Sequence, residues 1–234
     1  MTDSTPVAII TGAGSGIGRE TARLLAHEGH AVALVGRRPD ALHETAVSCG
    51  EKCLVLPADI SIHDRCAEVV ERTRSEFGSV DVLVNNAGIA PLKNIPETDE
   101  ETIRGCLDVN LVGPMALTAA CWPHFIAQRS GCVVNVSSMA SIDPFPGFLA
   151  YAASKAGVDS ITRSIIAEGG MHGIRAFTVN QGAVETEMLR ANFGKDFLPE
   201  EMTVPPAVIA DFIVSCVNGQ RDDRLGKVNE LTRQ

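Results

Sequence analysis

The chain has 234 residues, with 20 Lys+Arg against 29 Asp+Glu for a net charge of −9, and is 45% hydrophobic with a mean hydropathy of +0.11. That apolar content excludes disorder, and the length suits a single α/β domain over residues 1–234 with a core that needs no staples. The acidic balance excludes general nucleic-acid binding, which rests on Lys and Arg contacts to phosphates.

Residues 1–6 carry neither the basic start nor the apolar core of a secretion signal. No run approaches the ~18 apolar residues of a membrane span. A cytoplasmic protein with no membrane partner is expected. Seven cysteines are present without a Cys-x-x-Cys pair; Cys49 and Cys53, the nearest two, flank Gly50. They read as small buried hydrophobes in a reducing compartment, and no metal site is expected.

The first strand spans residues 7–10 and runs into Thr11-Gly12-Ala13-Gly14-Ser15-Gly16-Ile17-Gly18. A helix follows at once, with Ile17, Thr21, Leu24 and Leu25 on one face. A strand, a glycine turn and a helix N-terminus make an anion site, because free N–H groups and the positive end of the helix dipole attract a pyrophosphate. The spacing is Gly12-x-x-x-Gly16-x-Gly18, not the GxGxxG dinucleotide fingerprint. Gly12, Gly14, Gly16, Gly18, Gly88 and Gly182 are all expected against a cofactor, where a side chain would obstruct the backbone's approach. No Gly-Lys-Ser/Thr closes the loop, so a P-loop is excluded.

The second strand, residues 31–35, ends in Gly36-Arg37-Arg38-Pro39-Asp40. NAD binders place a carboxylate at this strand tip for the ribose 2′-OH. Here two guanidiniums stand instead, matched to a 2′-phosphate. Arg37 and Arg38 therefore favour NADP(H), with NAD(H) as the alternative; Asp40 reads as a helix-start residue.

Further strands read at residues 53–56, 80–84, 132–136 and 174–179, each apolar nearly throughout, as in a parallel sheet buried on both faces. Helical stripes lie at Cys66, Val69, Val70, Thr73 and Phe77, and at Ile209, Phe212, Ile213, Cys216 and Val217. Residues 191–206 are the loosest stretch and read as a surface loop or short helix. The β-α-β order predicts a Rossmann-like, doubly wound, mostly parallel sheet flanked by helices in three layers.

The fifth strand leads to Ser138, where such sheets bind ligands. Tyr151, the only Tyr in the chain, and Lys155 follow at i, i+4 on one helix face over residues 151–167, whose buried stripe is Ser154, Val158, Ile161 and Ile165. A Tyr is a poor acid–base near neutrality; an ammonium one turn away favours its phenolate. Ser138 can donate to a carbonyl oxygen as charge develops there.

Together these residues resemble a short-chain dehydrogenase/reductase of the compact type. Asp59 after the third strand, Asn85-Asn86-Ala87-Gly88 after the fourth, and Asn110 extend the resemblance. It implies an oxidoreductase interconverting a small ketone or aldehyde and an alcohol. Tyr151 would be the acid–base, Lys155 would lower its pKa and hold the nicotinamide ribose, and Ser138 would polarise the carbonyl. Asn110 would hold a water leading from Lys155 to solvent. Gly12, Ser15, Gly16, Ile17 and Gly18 would hold the pyrophosphate. Asp59 and Ile60 would meet the adenine, Asn86, Ala87 and Gly88 the adenosine ribose, and Val184 and Thr186 the nicotinamide carboxamide. Substrate-wall candidates are Met139, Ile142, Phe145, Phe148, Leu149, Met188 and Leu189, with Asp143 the lone carboxylate near them.

Gln181-Gly182 stands where the family usually has Pro-Gly, which frees φ and predicts a softer loop. The usual Asp-Gly-Gly near the C-terminus is absent. A homodimer, through the helices near residues 111–125 and 151–165, or a homotetramer is expected. A dinucleotide-sensing regulator is the rival class; such proteins commonly lose the Tyr–Lys pair, which is kept here.

Overall fold

The computed structural model describes residues 5–233; residues 1–4, part of the segment read above against a secretion signal, and Gln234 lie outside the described residues. The strands are β1 (Val7–Thr11), β2 (Ala31–Gly36), β3 (Cys53–Pro57), β4 (Val82–Asn85), β5 (Gly131–Ser138), β6 (Ile174–Gln181) and β7 (Val228–Leu231). The helices are α1 (Gly16–His27), α2 (Pro39–Val47), α3 (His63–Phe77), α4 (Glu100–Leu107), α5 (Gly113–Gln128), α6 (Leu149–Gly169), α7 (Glu187–Asn192) and α8 (Pro206–Val217). One seven-stranded sheet runs in the order β3-β2-β1-β4-β5-β6-β7, with every neighbouring pair parallel.

Alternation along the strands feeds two cores. Ala8, Ile10, Val32 and Leu34 face α1 and α8, against Leu25, Ile209 and Ile213. Ile9, Ala33 and Val35 face the opposite layer, with Cys66 and Val70 of α3 and Leu117 and Phe125 of α5. Both faces of the sheet are therefore dry, as all-parallel sheets require. Among the described residues no helix is long and apolar enough to cross a membrane.

Three local outcomes differ from the sequence reading. β4 begins at Val82, not at residue 80, because Asp81 is drawn aside: its carboxylate accepts from the Val7 N–H (2.8 Å) and from Ser79 Oγ (2.8 Å). β7 carries no continuous apolar run; it exists through its pairing with β6, where Asn229 Nδ2 donates to Thr178 O at 3.0 Å. Residue 181, read above as part of a loop, lies in β6. As Gln it continues the strand, paired with Ser138 on one side and Leu231 on the other, a double pairing that a proline could not complete.

The sheet order reverses direction between β1 and β4. In open α/β sheets such a switch point, at the carboxyl ends of the strands, is where ligands bind. β1, β4, β5 and β6 all end on this side, and deliver Gly12, Asn86, Ser138 and Gly182 to it.

Candidate active site

The glycine loop is shaped first by the protein itself. Gly12 has φ +67°, and a Cβ there would sit 2.8 Å from Asn86 Nδ2. A Cβ on Gly18 would lie 2.3 Å from Gly12 O, and one on Gly14 would lie 3.1 Å from the Ala41 methyl of α2. These glycines let loop, helix and β4 close on one another, a different reason from the ligand approach anticipated for them. Thr11 Oγ1 accepts from the N–H groups of Asn86 (2.9 Å) and Ala87 (3.0 Å), and Asn86 Nδ2 donates to Thr11 O at 2.9 Å. Asn86 thus laces β4 to the loop. Ile17 packs its side chain into the core, in the first turn of α1.

A groove of about 250 Å³ opens beside this loop. Of the predicted cofactor residues, Gly12, Gly14, Ser15, Arg37, Arg38, Asp59, Ile60, Ala87 and Gly88 line it, whereas Gly16, Ile17, Gly18 and Asn86 do not. Gly36, Leu42 and Val109 line it as well and were not anticipated. Arg38 is also paired with Glu187 at the start of α7, 3.2 Å away.

A second cavity of about 290 Å³ lies over the ends of β5 and β6. Ser138, Tyr151, Val184 and Thr186 line it, with the predicted wall residues Met139, Phe145, Phe148, Met188 and Leu189. Ile142 and Leu149 are exposed and stand outside it. Phe193 and Phe197 complete the wall, and the sequence reading missed them. Phe145 meets Phe193 edge-to-face at 5.2 Å and Phe197 at 6.2 Å between ring centres, while Phe148 lies 5.2 Å from the Tyr151 ring. The available signal was two Phe at i, i+4 inside the loosest segment of an aromatic-poor chain.

Tyr151 sits in the first turn of α6 and is 6% exposed. Burial pushes its phenol above the ordinary tyrosine value, and the hydroxyl of Ser138 beside it pulls the other way. Lys155 Nζ is 5.9 Å from the Tyr151 ring centre and donates to Val136 O at 2.7 Å. Burial lowers its pKa to about 8, and the Asp159 carboxylate one turn further along α6 opposes that fall. Asp159 is itself held by Ser141 Oγ at 2.7 Å.

The backbone around this pair is pinned at both ends. Ser154 Oγ donates to Tyr151 O (2.7 Å), and Ser137 Oγ donates to Lys155 O (3.1 Å). Asn110 lies in a π-helical turn, Asp108–Val112, between α4 and α5. Its side chain accepts from Ile89 N–H (2.8 Å) and donates to Ile89 O (2.9 Å) and Ser154 Oγ (3.0 Å). Both Nδ2 hydrogens and one Oδ1 lone pair are thus engaged, and the second Oδ1 lone pair is left for a water. Gly88 lies between the two polar groups: a Cβ there would be 3.2 Å from Asn110 Oδ1 and 3.6 Å from Lys155 Nζ.

The sequence profile of the short chain dehydrogenase family matches residues 6–196. The chain belongs to the short-chain dehydrogenase/reductase family. This short-chain dehydrogenase is 34% identical to a cis-4-hydroxycyclohexanecarboxylate dehydrogenase of Sinomonas cyclohexanicum, over 91% of the chain and 92% of the relative. It is 30% identical to an uncharacterized oxidoreductase of Staphylococcus epidermidis, over 87% and 89%. Among solved structures it resembles a 3-ketoacyl-(acyl-carrier-protein) reductase from Brucella melitensis complexed with NADH, at TM-score 0.92 and 30% identity over 98% of this chain and 97% of that one. Levodione reductase superposes at TM-score 0.91 with 27% identity, over 98% and 97%.

The protein is an oxidoreductase of this family, and a nicotinamide dinucleotide is the cofactor that the family and the NADH-bound neighbour imply. The groove suits such a molecule. It offers the glycine loop just ahead of α1, two guanidiniums at the β2 end and the Asp59 carboxylate as an acceptor.

Proposed function

We propose that the protein is an NADP(H)-dependent carbonyl reductase or alcohol dehydrogenase acting on small apolar ketones or aldehydes and the matching alcohols. The observation that carries this reading is the buried Tyr151, with Ser138 beside it and Lys155 one turn on, at the base of an apolar cavity. Bound nicotinamide supplies or accepts a hydride at the carbonyl carbon. Everything else falls to the chain's own residues.

Ser138 donates to the carbonyl oxygen and holds it against Tyr151. The raised phenol of Tyr151 stays protonated at neutral pH and gives its proton to that oxygen during reduction. The Lys155 ammonium stabilises the phenolate left behind, and a water held at Asn110 returns the proton. The cavity's apolar wall keeps other water off the reacting carbon.

Gly12, Ser15, Gly16, Ile17 and Gly18 hold the pyrophosphate through main-chain N–H groups. Arg37 and Arg38 take the 2′-phosphate. Asp59 and Ile60 receive the adenine, and Ala87 and Gly88, with Asn86 bracing them, receive the adenosine ribose. Val184 and Thr186, in the cavity beside Tyr151, receive the carboxamide. We assign this activity to one domain in the cytoplasm and to a homodimer or homotetramer, with neither nucleic acid nor membrane as partner.

The test is a panel of ketones and alcohols run in both directions with NADPH, NADP⁺ and their NAD counterparts. Turnover that prefers the phosphorylated cofactor is expected. Tight cofactor binding with no turnover across the panel would instead support a sensor.

A further inference from the structure

We propose that the cavity at Tyr151 selects by charge as well as by shape: it takes apolar ketones that carry no anionic group and discriminates against carboxylated ones. This rests on the reductase reading above and narrows its substrate class.

The wall is built from two segments far apart in the chain. Phe145 and Phe148 come from the β5–α6 connection, and Phe193 and Phe197 from the stretch after α7. With Met139, Met188 and Leu189 they make a mostly apolar lining, whose donors are neutral hydroxyls and amides (Ser138, Tyr151, Thr186, Gln181 and Asn192). Among the described residues lining it, Asp143 is the only charged one; no Lys, Arg or His is present. Its loop is held by a main-chain bond from Asp143 N–H to Met139 O at 2.8 Å. Among the described residues no cation lies within ion-pair distance of its carboxylate.

The cations nearby in sequence or space are already committed. Arg190 of α7 pairs with Glu185 and donates to Phe193 O (3.3 Å) and Leu198 O (2.6 Å). Lys195 pairs with Glu200 at 2.7 Å. Lys155 donates to Val136 O. A carboxylate brought into this space would lose part of its hydration, find no fixed positive partner and come near the exposed Asp143 carboxylate. A neutral ketone loses little on entry and gains contact with four phenyl rings. The arrangement rejects anions by leaving them unpaired, a form of selection that needs no contact made for the preferred ligand.

The matched probes are cyclohexanone and 4-oxocyclohexanecarboxylate, which share a ring and differ by one charge. The expected result is a kcat/KM for cyclohexanone at least about tenfold above that for the carboxylate. Asp143→Lys should narrow or invert that ratio. A carboxylate used as well as cyclohexanone, or a ratio untouched by Asp143→Lys, would overturn the proposal. If neither ketone turns over while NADPH still binds, the reductase reading fails separately. The charge preference is then read by ligand-observed NMR on the cofactor-loaded protein, where stronger binding of cyclohexanone supports it and equal binding refutes it.

Discussion

Arg38 Nη2 lies 3.2 Å from the Glu187 carboxylate, joining the β2 end of the cofactor groove to the first residue of α7, 149 positions along the chain. Both side chains are mostly exposed, at 62% and 72%, so the pair adds little to stability. Its interest is competitive, since Glu187 and a 2′-phosphate would call on the same guanidinium.

Arg38→Ala should weaken NADPH binding by about tenfold or more and NADH binding far less, because a charge-assisted hydrogen bond is worth about 1.5–3 kcal/mol. Arg37→Ala should act in the same direction. Glu187→Gln should tighten NADPH severalfold and leave Tm nearly unchanged. Fluorescence titration of both cofactors reads all three variants, and unaltered NADPH affinity in both arginine variants removes the 2′-phosphate assignment.

Tyr151→Phe should lower kcat by about 10²–10⁴-fold. The ring still fills its place beside Phe148, so Tm and NADPH affinity should hold. Undiminished reduction by this variant would leave the proposed proton donor without a role.

The Lys155 pKa of about 8 sets a pH dependence. Above that value the ammonium is lost, so reductase kcat/KM should fall on the alkaline side. Asp159 supports the charge, so Asp159→Asn should move the break to lower pH. For stability the sign is opposite to that of a salt-bridged lysine. Between about 8 and the ordinary 10.5 the unfolded chain binds more protons than the folded one, so this group's contribution to stability rises with pH across that window. Below about 8 both states are charged and its burial cost is constant. A break that stays in place in Asp159→Asn would show that Asp159 does not tune Lys155.

Gly18→Ala should cost about 1–3 kcal/mol, since the new methyl would meet Gly12 O at 2.3 Å and neither backbone can yield cheaply. Urea unfolding measures it. A variant as stable as the parent would mean that the loop relaxes where the structure shows it closed.

Arg190→Ala should raise KM for apolar ketones severalfold with a smaller change in kcat. Its guanidinium holds the Phe193 and Leu198 carbonyls, and through them one side of the aromatic wall. Steady-state kinetics separate the two constants; equal losses in both would place Arg190 nearer the chemistry than its contacts suggest.

Much of this was legible in the chain. Six strands announced themselves as apolar runs because both faces of the sheet are dry, and the doubly wound parallel architecture followed from their alternation with helices. Tyr151, Lys155 and Ser138 were legible because helix spacing and strand ends fix relative positions locally. β7 was not, because Asn229 and Glu230 interrupt its apolar content and only β6 makes it a strand. Phe193 and Phe197 were not, because their neighbours Phe145 and Phe148 are more than forty residues away and only tertiary folding brings the four together. The roles of Asn86 and Asn110 as braces likewise depend on partners from other elements.

The order of strands across the sheet also sets an order in time. β1 to β4, with the glycine loop, Arg37, Arg38 and Asp59, are complete within the first 85 residues, whereas Ser138, Tyr151 and Lys155 come later. At about 5–20 residues per second, a ribosome takes roughly 4–14 s to travel from Asn85 to Lys155. Until Ser138 is added, the nascent chain carries the groove residues proposed to bind a nucleotide and none of the Ser, Tyr and Lys proposed to use it.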